Sequence, residues 1–234
     1  MILGVLGQAG AGKDTTADYL VSQYGFVKIG LADPLKRICR EVFGFSDEQL
    51  WGSSNMRNGP DLRYPLGGSS PIKGHLTPRF ALQTLGTEWG RRCYENTWVD
   101  YGIRMAQKIL AEGWRYTPQR GVFKESFFKR FMADRPIGVV FSDIRFSNEV
   151  NAIRRLAGGY VVRIRRPGKD GEVGILNHAS EWEQKGIPDT HFDHILNNNS
   201  TIDALKENID KMFRLLPLSV ETRNALRINS GIRL

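Results

Sequence analysis

Residues 7–15, Gly7-Gln8-Ala9-Gly10-Ala11-Gly12-Lys13-Asp14-Thr15, bring together spaced glycines, a lysine, a carboxylate and a hydroxyl. These residue types at this spacing can hold a phosphate group. Glycines let the backbone wrap so that successive N–H groups point inward at an anion. Lys13 adds a full positive charge. The preceding run, Ile2-Leu3-Gly4-Val5-Leu6, reads as a short buried strand, and Thr16-Ala17-Asp18-Tyr19-Leu20-Val21 reads as the first turns of a helix. Strand, glycine loop, lysine and helix together mark a P-loop rather than an ordinary glycine turn. The helix N-terminus contributes its partial positive charge. The residue after the lysine is usually Ser or Thr, whose hydroxyl meets Mg²⁺. In this chain it is Asp14, and a carboxylate is also a Mg²⁺ ligand.

A second constellation starts at Val139-Val140-Phe141-Ser142-Asp143, an apolar strand that ends in a carboxylate. In an open parallel sheet, ligands gather outside the carboxyl ends of the strands. Asp143 is therefore expected at the same edge as the P-loop, with support of Mg²⁺ as its simplest role. Arg145 and Glu149 follow on a turn and a helix start. An Asp, an Arg and a Glu this close can instead hydrogen-bond a base edge and a phosphate. Upstream, a helix ends at the corner Gly86-Thr87, and Trp98 offers a flat face on which a base can stack. A core aromatic is the other reading of that indole.

The elements that must position these residues alternate along the chain. Strands are expected at 2–6, 26–29, 137–141, 160–164 and 194–196. Helices are expected at 15–23, 34–42, 79–85, 98–112, 147–156 and 201–216, with Gly158-Gly159 as a stop for the fifth. Ser180 and Glu183 have capping-box spacing. This alternation predicts an α/β fold of five mostly parallel strands with helices on both faces. Two stretches interrupt it. Residues 51–75, rich in Gly, Ser, Pro and Asn, carry Arg57 and Arg63 and suit a lid or acceptor-site loop, or a plain surface loop. Residues 113–136 form a basic, aromatic insertion.

At 234 residues the chain suffices for one such domain, read as 1–216 with a basic tail at 217–234. No apolar run approaches a membrane span of roughly 20 residues. The first strand feeds the loop directly, which leaves no room for an export signal and predicts a cytoplasmic setting. Two cysteines make neither a disulfide framework nor a metal site. The net charge of +8 favours polyanions, either nucleic acid or polyphosphorylated nucleotides.

Several stretches together resemble the bacteriophage deoxynucleoside monophosphate kinases. These are Gly12-Lys13-Asp14-Thr15-Thr16-Ala17-Asp18, Leu31-Ala32-Asp33-Pro34-Leu35-Lys36, Leu85-Gly86-Thr87, Trp98 and Ser142-Asp143-Ile144-Arg145-Phe146-Ser147-Asn148-Glu149. Val162-Arg163-Ile164-Arg165-Arg166-Pro167-Gly168 and His178-Ala179-Ser180-Glu181 continue the series. The match runs in order from residue 1 to about 212. It has no counterpart for 113–136 or for the chain after 216. The resemblance implies a P-loop kinase fold that moves the γ-phosphoryl of ATP onto a deoxynucleoside 5′-monophosphate, with Mg²⁺. It implies that Gly10, Ala11, Gly12, Lys13, Asp14 and Thr15 hold ATP and the metal. It also implies that Leu35, Lys36, Gly86, Thr87, Trp98, Asp143, Arg145 and Glu149 line the monophosphate site. Asp143 thus has two roles open to it, metal and acceptor nucleotide. Residues 197–201 are expected near the adenine.

Phosphoryl transfer between two anions needs cations beyond Lys13. Arg57, Arg63, Arg79 and Arg145 are the candidates. Of these, Arg145, Arg63 and Arg79 are expected in catalytic roles with Lys13. Two other functions share the loop. One is a small-molecule kinase of the dephospho-coenzyme A or phosphomevalonate type. The other is a nucleic-acid-stimulated P-loop ATPase, which the charge and the basic insertion would suit. The insertion and tail are also candidates for contacts between copies, which would give a homodimer.

Overall fold

The structure is a computed structural model, and it describes residues 1–67, 74–124, 136–167, 183, 184 and 186–230, with side chains as far as 226. The chain divides into two compact units. The first comprises Met1–Leu31, Val99–Tyr116 and Val122–Leu234, and the second Ala32–Trp98 and Thr117–Gly121.

In chain order the elements begin with β1 (Ile2–Leu6), α1 (Lys13–Tyr24), β2 (Phe26–Ile29), α2 (Asp33–Phe43), α3 (Asp47–Trp51) and α4 (Ser54–Asn58). A small hairpin β3 (Pro65–Leu66) and β4 (Gly74–His75) precedes α5 (Pro78–Gln83), a wide π-helix Thr84–Arg91 and α6 (Thr97–Glu112). A second hairpin, β5 (Arg115–Thr117) and β6 (Gly121–Phe123), leads on to β7 (Gly138–Ile144), α7 (Ser147–Arg154) and β8 (Gly159–Arg165). The chain continues through β9 (His194–Asn197), α8 (Ile202–Leu215) and α9 (Val220–Ser230).

The first unit is built on one five-stranded sheet in the order β2-β7-β1-β8-β9, and every pairing in it is parallel. The expected sheet is therefore present, and it is wholly parallel. β1 is central and all five of its residues are buried. A strand covered on both faces reads as a continuous apolar run, which is why its bounds could be read from sequence. The period-two alternation of the strand sorts its side chains. Leu3 and Val5 join a core with Ala17, Leu20 and Tyr24 of α1 and Ile209, Met212 and Phe213 of α8. Gly4 faces α7, where a Cβ would stand 2.9 Å from Ile153 Cδ1, so the close approach of this helix depends on a glycine.

The chain after 216 is more than a basic tail. Its Leu218 and Leu226 are buried in the same core, with Leu226 fully enclosed. The signal was weak because α9 carries its core contact on few apolar residues among many polar ones. The basic insertion begins as the hairpin β5–β6. Its Trp114 ring is flanked by Lys108 and Lys124, at 5.0 and 5.1 Å. The rest of it, 125–135, lies outside the described residues. So do Ser180 of the capping-box pattern and the stretch His178 to Glu181.

The second unit gathers around Cys39, Phe45, Leu50, Leu76 and Ala81. Phe43 and Phe45 stack at 5.3 Å, and the Tyr64 ring meets both edge-on. Residues 51–67, expected as a loop, contribute α4 and β3. They are held by tertiary contacts: Tyr64 and Leu66 pack on this core, and the Tyr64 hydroxyl donates to Phe43 O at 2.6 Å. α3 starts in a capping box in which Ser46 accepts from Gln49 N and Gln49 accepts from Ser46 N.

Candidate functional site

The carboxyl edge of the parallel sheet collects the first unit's site residues. β1 ends at Leu6, which pairs with Ile144 of β7 on one side and Arg163 of β8 on the other. The chain leaves β1 through 7–12, with Gly10 at φ 76° and Gly12 at φ 106°. Gly12 opens α1 with no side-chain cap, and a Cβ on it would stand 2.6 Å from Asn198 Nδ2. Both its conformation and its surroundings demand glycine. Asn198 is buried and donates from Nδ2 to Ala11 O at 2.9 Å, which braces the loop from beyond β9. Lys13 folds back across the loop and donates from Nζ to Gly7 O at 2.6 Å and Gln8 O at 2.8 Å.

A cavity of about 360 Å³ opens over this loop. Gly10, Gly12, Lys13, Asp14 and Thr15 form one wall, and Arg166, Asn198, Ser200, Ile202 and Leu205 the other. The segment expected beside the adenine, 197–201, thus supplies two cavity residues. Asp14 is 82% exposed and pairs with Lys28 of β2 at 2.8 Å. Burial pulls the Lys28 ammonium pKa down, and the bonds to Asp14 and Asp18 more than offset it, so its net shift is upward.

Asp143, half-buried near the end of β7, accepts from Leu31 N at 2.7 Å and so ties that edge to the turn after β2. Arg145 is exposed on the next turn. Glu149 is 5% exposed, and its carboxylate accepts from Arg145 N at 2.7 Å and Phe146 N at 3.1 Å. A carboxylate in this place caps α7 and fixes the turn that carries Arg145. Phe146 has no side-chain acceptor, so the cap runs in one direction only.

The second unit holds the remaining expected residues. Leu35 and Gly86 face each other: a Cβ on Gly86 would stand 3.2 Å from Leu35 Cδ1. Lys36 lies 3.6 Å from Asp33 and 5.6 Å from the Trp51 ring centre. Thr87 is half-buried in the π-helix, a rare form that recurs at functional sites.

Trp98 is not the open platform that a base would need. It is 9% exposed, its Nε1 donates to Gly86 O at 2.8 Å, and its ring covers Gly90 so closely that a Cβ there would stand 2.3 Å away. The indole presented to solvent in this unit is Trp89, which is 55% exposed. Its position inside the π-helix gave no sequence signal.

Arg63 also departs from its expected part. Its guanidinium grips the buried Asp61 carboxylate through Nε at 2.9 Å and Nη2 at 2.7 Å, and Nη2 also reaches Gly44 O at 3.1 Å. The Arg63 hydrogen bonds, foremost, hold the Asp61 pKa well below the usual carboxylate range. Arg63 is thus spent on a structural clamp, because the residue two positions earlier is an acid that turns it inward. Arg79 donates to Asn58 and Arg57 to Gly52 O. Burial pushes the Cys39 thiol up to about 11, which leaves no thiolate nucleophile there.

A parallel sheet of this order, with a glycine and lysine loop leaving its central strand, defines a P-loop protein of the kinase fold. No family model matches the chain. A protein of Acanthamoeba polyphaga mimivirus named "Putative deoxynucleotide monophosphate kinase" is 34% identical over 210 residues, 89% of this chain and 94% of the relative. The chain belongs to the deoxynucleotide monophosphate kinase family. Among solved structures, the crystal structure of TT1252 from Thermus thermophilus is similar over 93% of this chain and 98% of that one, at 18% identity and a TM-score of 0.42. The fold assignment rests on the sheet order and the loop. Among the described residues, no helix is long and apolar enough to cross a membrane.

Proposed function

We propose that the protein transfers the γ-phosphoryl group of ATP to a deoxynucleoside 5′-monophosphate, giving a deoxynucleoside diphosphate and ADP. The observation that carries this is Lys13, drawn across the glycine loop in the wall of the cavity that opens over it, in a chain of this family. In the transfer, an oxygen of the acceptor phosphate forms a bond to Pγ. The bond from Pγ to the β,γ-bridging oxygen breaks, and its electron pair leaves on ADP. The acceptor is already an anion, so no general base is needed. Catalysis is in-line positioning plus neutralisation of charge. Lys13 takes the β- and γ-phosphates. Asp143 and Arg145 bind the acceptor, and Glu149 holds the turn that presents Arg145.

Mg²⁺ fits the residues present. Asp14 and Thr15 offer hard oxygen donors on the cavity wall. Among the described residues, no group of three or more His, Cys, Asp and Glu side chains could hold a metal alone. A sparse oxygen set beside phosphates is how Mg²⁺ is usually held, with substrate and water completing the shell. Bound there with ATP, it would neutralise charge on the phosphate oxygens. Asp143 is the second carboxylate at this edge.

An acceptor panel tests the assignment: dGMP, dTMP, dAMP, dCMP, a modified pyrimidine monophosphate, a ribonucleotide, dephospho-coenzyme A and phosphomevalonate, each read by coupled ADP release. Turnover with one or more deoxynucleotides is expected. Turnover only with dephospho-coenzyme A or phosphomevalonate, or ATPase activity that rises on adding DNA, would point to the other P-loop functions.

A further inference from the structure

β8 carries a cation inside its apolar run. Val162 and Ile164 face the core shared with α1 and α8, so the alternation of the strand turns Arg163 to the other face. There Arg163 is 7% exposed. Its Nη1 donates to Asp189 at 2.6 Å, and its Nη2 donates to Gln184 O at 3.0 Å and Ile187 O at 2.6 Å. The guanidinium also lies 4.1 Å from the centre of the Phe192 ring. Arg165 takes both oxygens of the same Asp189, at 2.7 and 2.6 Å. These contacts fix Arg163 and leave one donor over. Among the described residues, its buried Nε has no hydrogen-bond partner. Gln184 is 5% exposed, and its buried Oε1 has no partner among them either.

Both residues line a second cavity, of about 200 Å³, at the carboxyl ends of β1 and β8. It shares no lining residue with the cavity over Lys13. Gly7 and Gln8, whose carbonyls hold Lys13, form its loop side. Glu183, beside Gln184, accepts from Ser147 Oγ at 3.0 Å, and Ser147 opens α7 two residues after Arg145. The cavity therefore touches the loop that holds Lys13, and its Gln184 wall is tied to the helix that follows the Arg145 turn.

Buried donors and acceptors are paired in nearly all folded proteins. A donor and an acceptor left over in one cavity call for a group that accepts from the first and donates to the second. A hydroxyl does both with a single atom. A deoxynucleoside 5′-monophosphate has one hydroxyl, on C3′. Its sugar is also the group next to its phosphate. An acceptor phosphate brought up to the phosphoryl at Lys13 thus carries the sugar to the Gly7 and Gln8 side. A cavity of this size suits one ring of the acceptor rather than the whole molecule.

We propose that Arg163 Nε and Gln184 Oε1 recognise the 3′-hydroxyl of the acceptor sugar. The assignment rests on the kinase reading above. It makes the pair a specificity determinant for a free 3′ end, because an acceptor without that hydroxyl leaves both buried groups unpaired.

Turnover of the best deoxynucleotide of the panel, set against its 2′,3′-dideoxy counterpart, tests it. Wild type is expected to prefer the deoxynucleotide by about 10- to 100-fold in kcat/KM. Gln184→Met removes the acceptor oxygen at similar length and should shrink that preference to less than about 5-fold. Gln184→Glu, whose carboxylate still accepts, should keep it. Comparing two substrates on one enzyme cancels any general loss of activity. If Gln184→Met does not fold by circular dichroism, Gln184→Ala takes its place. Equal turnover of the two acceptors by wild type would overturn the assignment and leave the cavity to solvent. An undiminished preference in Gln184→Met would overturn it as well. Both results leave the kinase reading standing. A wild-type protein that turns over no deoxynucleotide contradicts both.

Discussion

The Lys28 ammonium lies 2.8 Å from the Asp14 carboxylate and 3.0 Å from that of Asp18. A side chain of β2 thus counters two negative charges in the first turns of α1, beside the loop proposed to receive the ATP phosphates. The acid after the P-loop lysine comes with a cation of its own.

Replacing that cation should therefore weaken nucleotide binding. Lys28→Met is expected to raise KM for ATP by about 3- to 10-fold with a smaller change in kcat, and Lys28→Arg should restore it. The pH dependence has a definite sign. Lys28 has a pKa raised in the fold above the ordinary 10.5, so the stability it adds is full below that value and lost as pH rises through the raised one. The stability difference between wild type and Lys28→Met, measured by urea unfolding, should be flat from about pH 7 to 9 and shrink above about 10.5.

The Asp61 and Arg63 clamp predicts the opposite limb. Asp61 has a pKa depressed in the fold, so its contribution is present above the ordinary carboxylate range and lost as pH falls through the depressed value. Arg63→Ala should move the acid-unfolding midpoint to higher pH by circular dichroism. The double variant Asp61→Asn with Arg63→Met should be less destabilised than Arg63→Ala alone, since it leaves no buried charge unpaired.

The two indoles of the second unit should separate stability from binding. Trp98→Ala is expected to cost about 3–5 kcal/mol in denaturant unfolding, and Gly90→Ala about 1–3 kcal/mol by forcing the ring aside. Trp89→Ala should change stability by less than about 0.5 kcal/mol. If Trp89 stacks on the acceptor base, that variant raises KM for the monophosphate by about tenfold. An unchanged KM removes it from the site.

Leu226 tests whether the C-terminal helix is part of the domain. Leu226→Ala should cost about 2–5 kcal/mol, as for other enclosed leucines. Wild-type stability in that variant would show the helix to be an appendage.

What could be read from sequence was local. The loop at 7–15 declares itself because its glycines, lysine and flanking strand are contiguous. The central strands declare themselves because burial on both faces makes them unbroken apolar runs. β7 ran on to Ile144, past the expected end at 141, because the strand passes through the polar Ser142 and Asp143 at a register irregularity before Ile144 pairs with Leu6. α3 and α4 escaped notice because they are short and polar and are held from outside, as Trp51 Nε1 is by Asp33 at 2.9 Å. Lys28, Asn198 and Arg166 reach the loop only through strand register and cannot be paired with it by spacing. Arg63 was visible as a cation, but its reach toward Asp61 was not.

Label transfer from [γ-³²P]ATP tests the central claim most directly. The wild-type chain, with Mg²⁺ and the best acceptor of the panel, should move label onto the deoxynucleoside monophosphate in equal measure with ADP formed. Lys13→Ala should fold normally and lose at least about a thousandfold in kcat/KM. Label released as free phosphate, or near-normal transfer by Lys13→Ala, would contradict the account.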